Sequence, residues 1–224
     1  TYTQYESKTT LKTVGDASIY YTSSAIPTVV SKVYTINYYD TYEDLPSGLT
    51  PPTDVFGQAV TTQTQGLPTV SKVRVLGTTH WTTNVTYYDA KARPIYIYSK
   101  NPYLGTTDIT KIKLDFTGKT LQTHSTHKKT GQANDIITVE DYDYDHAGRL
   151  LTQKQTLNSQ TQELITENHY DALGQLESKG VGGAATATTP LQTIDYTYNI
   201  RGWLKRINTP GALGDDLFGF ELNY

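Results

Sequence analysis

Short stretches in which apolar and polar residues alternate recur along most of the chain. Tyr34, Ile36 and Tyr38 share one parity, and Val73 and Val75 alternate with Lys72 and Arg74. Because successive side chains of a strand point to opposite faces, this period of two predicts β-strands. No stretch has a convincing helical period, so the sequence predicts an all-β fold with essentially no helix. The predicted strands cover residues 19–21, 33–39, 70–76, 81–89, 95–99, 109–115, 120–127, 136–145, 150–157, 164–171, 175–179, 191–199, 203–208 and 217–224.

One of these strands runs into a tight turn at residues 144–150, which read Tyr-Asp-His-Ala-Gly-Arg-Leu. Asp145 suits the first position of a type I turn, because its carboxylate can accept hydrogen bonds from the backbone N–H groups just ahead of it. Gly148 suits the last position, where a left-handed backbone is free of the Cβ penalty. A type I turn followed by such a glycine closes a β-hairpin with a one-residue bulge.

The same corner recurs along the chain. Residues 170–176 repeat it closely, and residues 198–204 repeat it with Asn in place of Asp. Residues 114–120 keep the Asp and the Gly, whereas residues 88–94 have Ala where Gly belongs. The Asp or Asn positions are 26, 30, 26 and 28 residues apart. A fixed turn chemistry at a nearly fixed spacing indicates a repeat protein.

Each repeat therefore consists of two strands and one corner. A single hairpin buries too little surface to be stable alone, so adjacent hairpins are expected to pair edge to edge in a long spiralling sheet. We expect residues 1–31 to be a weakly structured lead-in and residues 32–224 to be the hairpin array, with an irregular loop at 45–65 that is rich in Pro and Gly. The chain starts at Thr1 and contains no Met, so it is expected to be a fragment of a larger protein with an unpaired sheet edge at each end.

The apolar phase changes within the predicted strand 136–145. Ile137 and Val139 share one face, but Tyr142 and Tyr144 share the other. Two interpretations fit this change. A bulge near Glu140 would restore a single apolar face, or both faces of the strand are partly buried.

Composition narrows the possible functions. The chain has no Cys, which excludes disulfides and thiolate metal sites, and its net charge of −3 includes no basic run that would favour nucleic acid as a partner. No segment has the apolar length of a membrane span, and no cofactor motif stands in a suitable context. The abundance of Tyr, 19 residues, and of Thr again favours strands.

Three motifs imitate functional sites. Asp141, Asp143 and Asp145 are spaced like the start of a calcium loop, but His146 stands where that loop requires Gly. His124 and His127 would point in opposite directions on a strand. Residues 118–120, Gly-Lys-Thr, resemble the end of a phosphate-binding loop but belong to a corner. We expect no metal site and no catalytic residue among them.

The corner residues are therefore assigned a structural role. Asp115, Asp145 and Asp171 could instead form a row of ligand-binding carboxylates. The simpler interpretation is that each carboxylate accepts hydrogen bonds from the backbone of its own turn. Arg149 and Lys119 follow the glycine of their corners and are expected to pair with an acid across the corner. The residues assigned to the repeat corners are Tyr88, Asp89, Asp115, Gly118, Tyr144, Asp145, Gly148, Arg149, Tyr170, Asp171, Gly174, Tyr198, Asn199, Gly202 and Trp203.

The corner resembles the Tyr-Asp (YD) repeat of the Rhs family, which also includes the repeats of insecticidal Tc toxin components and teneurins. The resemblance extends over about residues 32–224, and residues 71–78 and 198–204 are similar to strings in large Rhs-like proteins of Bacteroidetes. It implies a shell of spiralling β-hairpins that encloses and delivers a C-terminal toxin or effector domain. It also implies a secreted or cell-surface location, export by type IX secretion, and contacts with the rest of the chain, with the enclosed cargo and with the secretion machinery.

Two other functions remain open from the sequence. The Tyr-rich strands and the loop at 45–65 could serve a surface adhesin or a carbohydrate-binding module. A hydrolase using two carboxylates would need an acid pair about 5–10 Å apart in a cleft. Because rows of Asp on one face of a strand can meet that spacing by chance, the pocket would be the deciding feature. The expectation is a non-enzymatic structural segment without a cofactor.

Overall fold

The fold is all-β. The computed structural model describes residues 4–224 and contains 17 antiparallel strands and no helix in this range. No helix with the length and hydropathy of a membrane span occurs in it. The first strands are β1 (Lys8–Val14), β2 (Ala17–Tyr21), β3 (Thr35–Asp40), β4 (Asp54–Val55), β5 (Gln58–Ala59), β6 (Thr64–Arg74), β7 (Trp81–Tyr88), β8 (Pro94–Asn101) and β9 (Thr106–Leu114). The later ones are β10 (Thr120–Lys129), β11 (Ile136–Tyr144), β12 (Leu150–Leu157), β13 (Glu163–Tyr170), β14 (Leu176–Val181), β15 (Gln192–Tyr198), β16 (Leu204–Ile207) and β17 (Phe220–Glu221).

Thirteen strands form one sheet in the order β17-β16-β15-β14-β13-β12-β11-β10-β9-β8-β7-β6-β3. From β6 onward every strand pairs with its neighbours in sequence, as expected of successive hairpins. Two further hairpins, β1–β2 and β4–β5, form separate two-stranded sheets. The edges of the large sheet are β3 and β17, and each is unpaired on its outer side within the described residues.

By contacts the chain divides into two units. The first comprises the residues up to Leu114 together with Ser125–Ile136, and the second comprises Asp115–His124 and Ile137–Tyr224. We refer to them as the first and the second unit.

The first unit has a packed hydrophobic core. Tyr38, Val85 and Ile95 are fully buried in it, and Tyr38 stacks on Tyr21 of the β1–β2 hairpin with ring centroids 5.2 Å apart. The other buried members of the core are Val14, Ala17, Ile19, Ile36, Val55, Val70, Tyr87, Tyr96 and Tyr98. Burial of aromatic and aliphatic surface of this extent is the main source of stability for this unit.

The predicted weakly structured lead-in at 1–31 differs from the structure, which places the β1–β2 hairpin at residues 8–21; the first three residues of the lead-in lie outside the described range. Gly15 turns the hairpin with φ +58°, and Val14, Ala17 and Ile19 enter the core. Only three of its side chains are buried, and they are buried by tertiary packing. The predicted strand at 19–21 lies in β2, but β1, its partner in the hairpin, was not predicted.

The predicted irregular loop at 45–65 is also more ordered than expected. It contains the short β4–β5 hairpin, and β6 already begins at Thr64 although Gly66 and Pro68 follow. Leu45, Leu49 and Val60 pack against the core. The side chain of Gln58 donates to the carbonyl of Ile112 (2.9 Å) and accepts from the N–H of Leu114 (3.1 Å), so the segment is fixed to its own unit.

Strand β6 alternates as predicted, but the face that carries Val73 is more exposed than the opposite face, which carries Lys72, Arg74 and the buried Val70. Val73 is 46% exposed, whereas the side chains of Lys72 and Arg74 are only 14% and 10% exposed. Both cations lie over the ring of Trp81, and they pair with Asp44 and Asp16. In β3, Tyr34 precedes the strand and is half exposed, while Ile36 and Tyr38 are buried as predicted.

The second unit lacks a comparable core. Among its apolar residues Leu164 alone is classed as buried, and most positions of β11, β12 and β15 are half-buried on both faces. The change of phase in β11 therefore reflects two partly buried faces. The register between β11 and β12 is regular from Thr138 to Asp143, so no bulge occurs at Glu140 in this pairing; the shift lies at the corner, between Asp143 and Tyr144. The predicted final strand 217–224 is shorter than expected, because only Phe220–Glu221 is paired.

Candidate functional site: the repeated corner

All five corners have the same backbone geometry. At residues 144–150 the N–H of Asp145 donates to the carbonyl of Arg149 (2.9 Å), and the N–H of Gly148 donates to the carbonyl of Asp145 (2.9 Å). The equivalent pairs of bonds occur in the corners that begin at Asp89, Asp115, Asp171 and Asn199. The predicted type I turn with a bulge is therefore confirmed at every copy.

The Asp or Asn side chain completes the turn. The Oδ1 atom of Asp145 accepts from the N–H groups of Ala147 (2.9 Å) and Arg149 (2.8 Å). The equivalent oxygen of Asn199 accepts from the N–H groups of Arg201 (2.9 Å) and Trp203 (3.0 Å), so an amide serves as well as a carboxylate. The same bonds occur at Asp89, Asp115 and Asp171.

The fourth residue of each corner, counted from its Asp or Asn, has a left-handed backbone. Its φ is +82° at Gly148 and between +78° and +101° in three other corners. In the first corner Ala92 occupies this position with φ +60°, which is unfavourable for a residue with a Cβ. The corner thus forms without glycine, at a cost in strain.

Two corners carry an internal ion pair. The guanidinium of Arg149 donates from Nε to Oδ2 of Asp145 at 2.6 Å, as predicted, and Arg93 makes the same contact with Asp89. The N–H of Arg149 is the largest influence that lowers the pKa of Asp145, and its guanidinium lowers it further. Burial of Asp89 would raise the pKa of that carboxyl, but hydrogen bonds from the Arg93 side chain and from the N–H groups of Arg93 and Lys91 outweigh it and lower the pKa.

Consecutive corners of the second unit are coupled through the residue that follows the glycine. Lys119 lies 5.8 Å from the ring centroid of Tyr144 in the next corner, and Arg149 lies 4.4 Å from that of Tyr170. At the last corner the ring of Trp203 lies 5.3 Å from that of Tyr224. A cation or an aromatic ring over a tyrosine contributes about 0.5–2 kcal/mol per contact.

The tyrosine hydroxyls form a second link between the corners. Tyr170 donates to the carbonyl of Leu150 (3.0 Å), Tyr198 to that of Leu176 (3.0 Å) and Tyr224 to that of Leu204 (2.8 Å). Each acceptor is the sixth residue after the Tyr of the preceding corner. The Tyr of one repeat is thus anchored to the outgoing strand of the repeat before it.

The corner glycines also leave room for this coupling. A Cβ on Gly148 would lie 2.7 Å from Nζ of Lys119, and one on Gly174 would lie 2.8 Å from Nη1 of Arg149. A Cβ on Gly202 would lie 3.0 Å from Nε2 of Gln175. Glycine therefore serves both the backbone conformation and the close approach of the neighbouring corner.

Sequence reasoning assigned the corner residues but missed the coupling between corners and the role of Tyr224. Tyr224 makes the hydroxyl and ring contacts that are expected of the tyrosine of a sixth corner. The available signal was its spacing, since it follows Tyr198 by 26 residues, the same interval that separates Tyr144 from Tyr170.

The motifs that imitate sites are held by internal contacts. The carboxylate of Asp141 accepts from Gln122 (2.6 Å) and Gln162 (2.8 Å), and that of Asp143 accepts from Thr152 (2.9 Å). His127 pairs with Asp108. Within residues 4–224 no group of three or more His, Asp or Glu side chains is arranged to hold a metal ion.

The first unit contains a cavity of about 770 Å³ beside the edge strand β3. Four tyrosines, Tyr5, Tyr21, Tyr34 and Tyr39, are part of its lining, together with Glu6 and Asn37. The Glu6 carboxylate accepts from the N–H groups of Ser24 (3.0 Å) and Ala25 (2.7 Å), and the Tyr21 hydroxyl donates to the carbonyl of Asn37 (2.8 Å). No catalytic arrangement is apparent among these groups.

No protein-family model matches the chain, and a search of curated proteins finds no match either.

Proposed function

We propose that this chain is a structural segment of the Rhs/YD-repeat β-shell of a large secreted bacterial protein, in which the shell encloses and delivers a C-terminal toxin or effector domain. The observation that carries the proposal is the coupling of consecutive corners, in which Arg149 of one corner lies over the Tyr170 ring and beside Gly174 of the next. When each repeat orients the next one in this way, the repeats form a continuous sheet of regular geometry.

The second unit supports this role. Its strands are half-buried on both faces, and its acids are held by neutral donors within the sheet: Glu140 accepts from Thr123 (3.0 Å), Tyr142 (3.1 Å) and Gln153 (3.1 Å). Networks of this kind stabilise cross-strand pairing where no apolar core is available. The proposal assigns no catalytic residue and no cofactor. Its partners are the rest of the chain with its cargo and the secretion machinery, at a secreted or cell-surface location.

The test is electron microscopy and limited proteolysis of the complete product of the gene that encodes this chain. The proposal expects a closed particle with internal density and a domain that trypsin digests only after the particle is denatured. The combined change Arg149→Ala and Tyr170→Ala should expose that domain to trypsin, whereas Lys205→Ala, at an exposed ion pair, should not. An open filament, or a product with no protected domain, would overturn the proposal.

A second candidate function is carbohydrate binding, favoured by the tyrosine-lined cavity beside β3. Tyrosine rings bind sugars by stacking, and Tyr34 and Tyr39 are half exposed there. A glycan array would decide. Binding that is lost in Tyr34→Ala and kept in Tyr103→Ala, an exposed tyrosine outside this cavity, would support it; an array without signal above background would remove it.

A further inference from the structure

At the last corner of the chain, Trp203 lacks one of the two neighbours that Arg149 has in the corner after it. In the second unit, the residue after each glycine lies beside the next corner: Arg149, for example, lies over the Tyr170 ring and beside Gly174. Trp203 occupies the position of Arg149, and Tyr224 already occupies the position of Tyr170, with its ring against Trp203 and its hydroxyl on the Leu204 carbonyl. The contact equivalent to Gly174 is not made by any described residue.

The backbone of the edge strand is in the matching phase. The N–H of Leu222 donates to the carbonyl of Lys205 (2.8 Å), so Leu222 points its backbone groups toward β16. Because these directions alternate along an antiparallel strand, Glu221 and Asn223 point theirs away from β16. At the Tyr170 corner, two repeats earlier, the equivalent residues Glu167 and His169 pair with Gly180 and Ser178 of the outgoing strand β14.

The side chains at this edge leave apolar surface uncovered. Trp203 is 48% exposed, Leu222 41% and Tyr224 71%. By contrast, Tyr170 and Tyr198, which are the counterparts of Tyr224 further inside the sheet, are half-buried. An unpaired edge strand with apolar neighbours is a template for the addition of another strand.

We propose that Trp203, Tyr224 and the outer edge of β17 form a docking surface for one more strand, joined to Tyr224 through an Asp/Asn-x-x-Gly corner. The glycine of that corner lies against the indole of Trp203, as Gly174 lies against Arg149. A second copy of this chain has no free strand that follows a corner: β8, β10, β12, β14 and β16, which leave its five corners, are each already paired on both sides, and its unpaired edge strand β3 does not follow a corner. The inference rests on the proposed function as a segment of a hairpin array, and it names the partner of its last strand.

The test is a chain extended after Tyr224 by a copy of residues 171–181, Asp-Ala-Leu-Gly-Gln-Leu-Glu-Ser-Lys-Gly-Val. The matched control carries the same extension with its Asp changed to Ala and its Gly to Val. Hydrogen exchange of single amides is followed by NMR. In the extended chain the N–H groups of Glu221 and Asn223 should exchange at least about tenfold more slowly than in the control, because they become bonded in the sheet.

A second variant distinguishes the contribution of the Trp203 indole to docking from that of the backbone hydrogen bonds. Trp203→Ala in the extended chain should reverse at least half of the gain in protection, whereas Leu217→Ala, an exposed residue before β17, should leave it unchanged. Equal exchange rates at Glu221 and Asn223 in the extended chain and its control would overturn the docking surface. If the five existing corners stay protected in that case, the array proposal stands; rapid exchange throughout β11–β16 would instead contradict the array.

Discussion

The guanidinium of Arg149 lies 4.4 Å from the ring centroid of Tyr170 while its Nε atom donates to Asp145 at 2.6 Å. One side chain therefore closes its own corner and contacts the next. Coupling between neighbouring hairpins of the second unit passes through contacts of this type, since that unit has little buried apolar surface.

Arg149→Ala should destabilise the second unit by about 1–2 kcal/mol, because it removes the contact with the Tyr170 ring and the packing of the Arg stem. Arg149→Lys should keep part of this stability, since the charge remains but the planar stack is lost. Urea unfolding followed by the fluorescence of Trp203 measures the change, and Lys205→Ala should stay within about 0.5 kcal/mol. An effect of Arg149→Ala no larger than that of Lys205→Ala would contradict the coupling.

Gly174→Ala should cost more than Gly214→Ala, although both glycines have positive φ. A Cβ at 174 would lie 2.8 Å from Nη1 of Arg149, whereas nothing lies within 4 Å of one at 214. Both changes carry the left-handed penalty of about 1–2 kcal/mol, and only the first also displaces a neighbour. In the Arg149→Ala background the excess should disappear. If Gly174→Ala still costs more than Gly214→Ala in that background, the double-mutant cycle contradicts the proximity of residue 174 to Arg149.

Ala92→Gly should stabilise the first unit by about 0.5–1 kcal/mol, since it relieves a left-handed backbone at φ +60° and loses part of the gain to unfolded-state entropy. Thermal unfolding followed by Trp81 fluorescence would register this as a higher midpoint. A matched Ala90→Gly change, two residues earlier in the same turn, should be neutral or destabilising. A lower midpoint for Ala92→Gly would mean that the strain is not significant there.

Asp89 should make the first unit sensitive to acid. The pKa of this carboxyl is lowered from its ordinary value of 3.8 on folding, so its contribution is present above that value and is lost as pH falls through the lower folded pKa. Asp89→Asn should keep the turn, as Asn199 does, and lose the charge pair with Arg93. The variant should be less stable than the parent near about pH 6, and the difference should shrink as the pH falls below the ordinary carboxyl pKa of 3.8. Parallel pH profiles of the two melting temperatures would refute this assignment.

Tyr87→Phe should be neutral or stabilising by up to about 1 kcal/mol. The Tyr87 hydroxyl is buried without a hydrogen-bond partner among the described residues, so the change removes a desolvation cost. Tyr170→Phe removes a bond to the Leu150 carbonyl and should cost about 0.5–1.5 kcal/mol. Urea unfolding of both variants tests the contrast, and a larger loss in Tyr87→Phe than in Tyr170→Phe would be the wrong order.

Local chemistry made much of the fold predictable. Alternation located the strands from β7 to β16, and the Asp and Gly of each corner were readable because a turn satisfies its own backbone within five residues. The exact ends of β6 and β17 could not be predicted. In β6, pairing across the sheet overrode Gly66 and Pro68, and in β17 it limited the strand to two residues.

The sequence by itself therefore determined the strand class, the repeat and the corner geometry, which depend on neighbours within a few residues. Tertiary structure decided which faces are buried, as with exposed Val73 beside covered Lys72 and Arg74. It also decided that residues 8–21 form a hairpin over the core, and that Lys119, Arg149 and Trp203, each after a corner glycine, lie against the next tyrosine. These features join residues about 20 or more positions apart, and their energy comes from burial and ring contacts that exist only once the strands have paired.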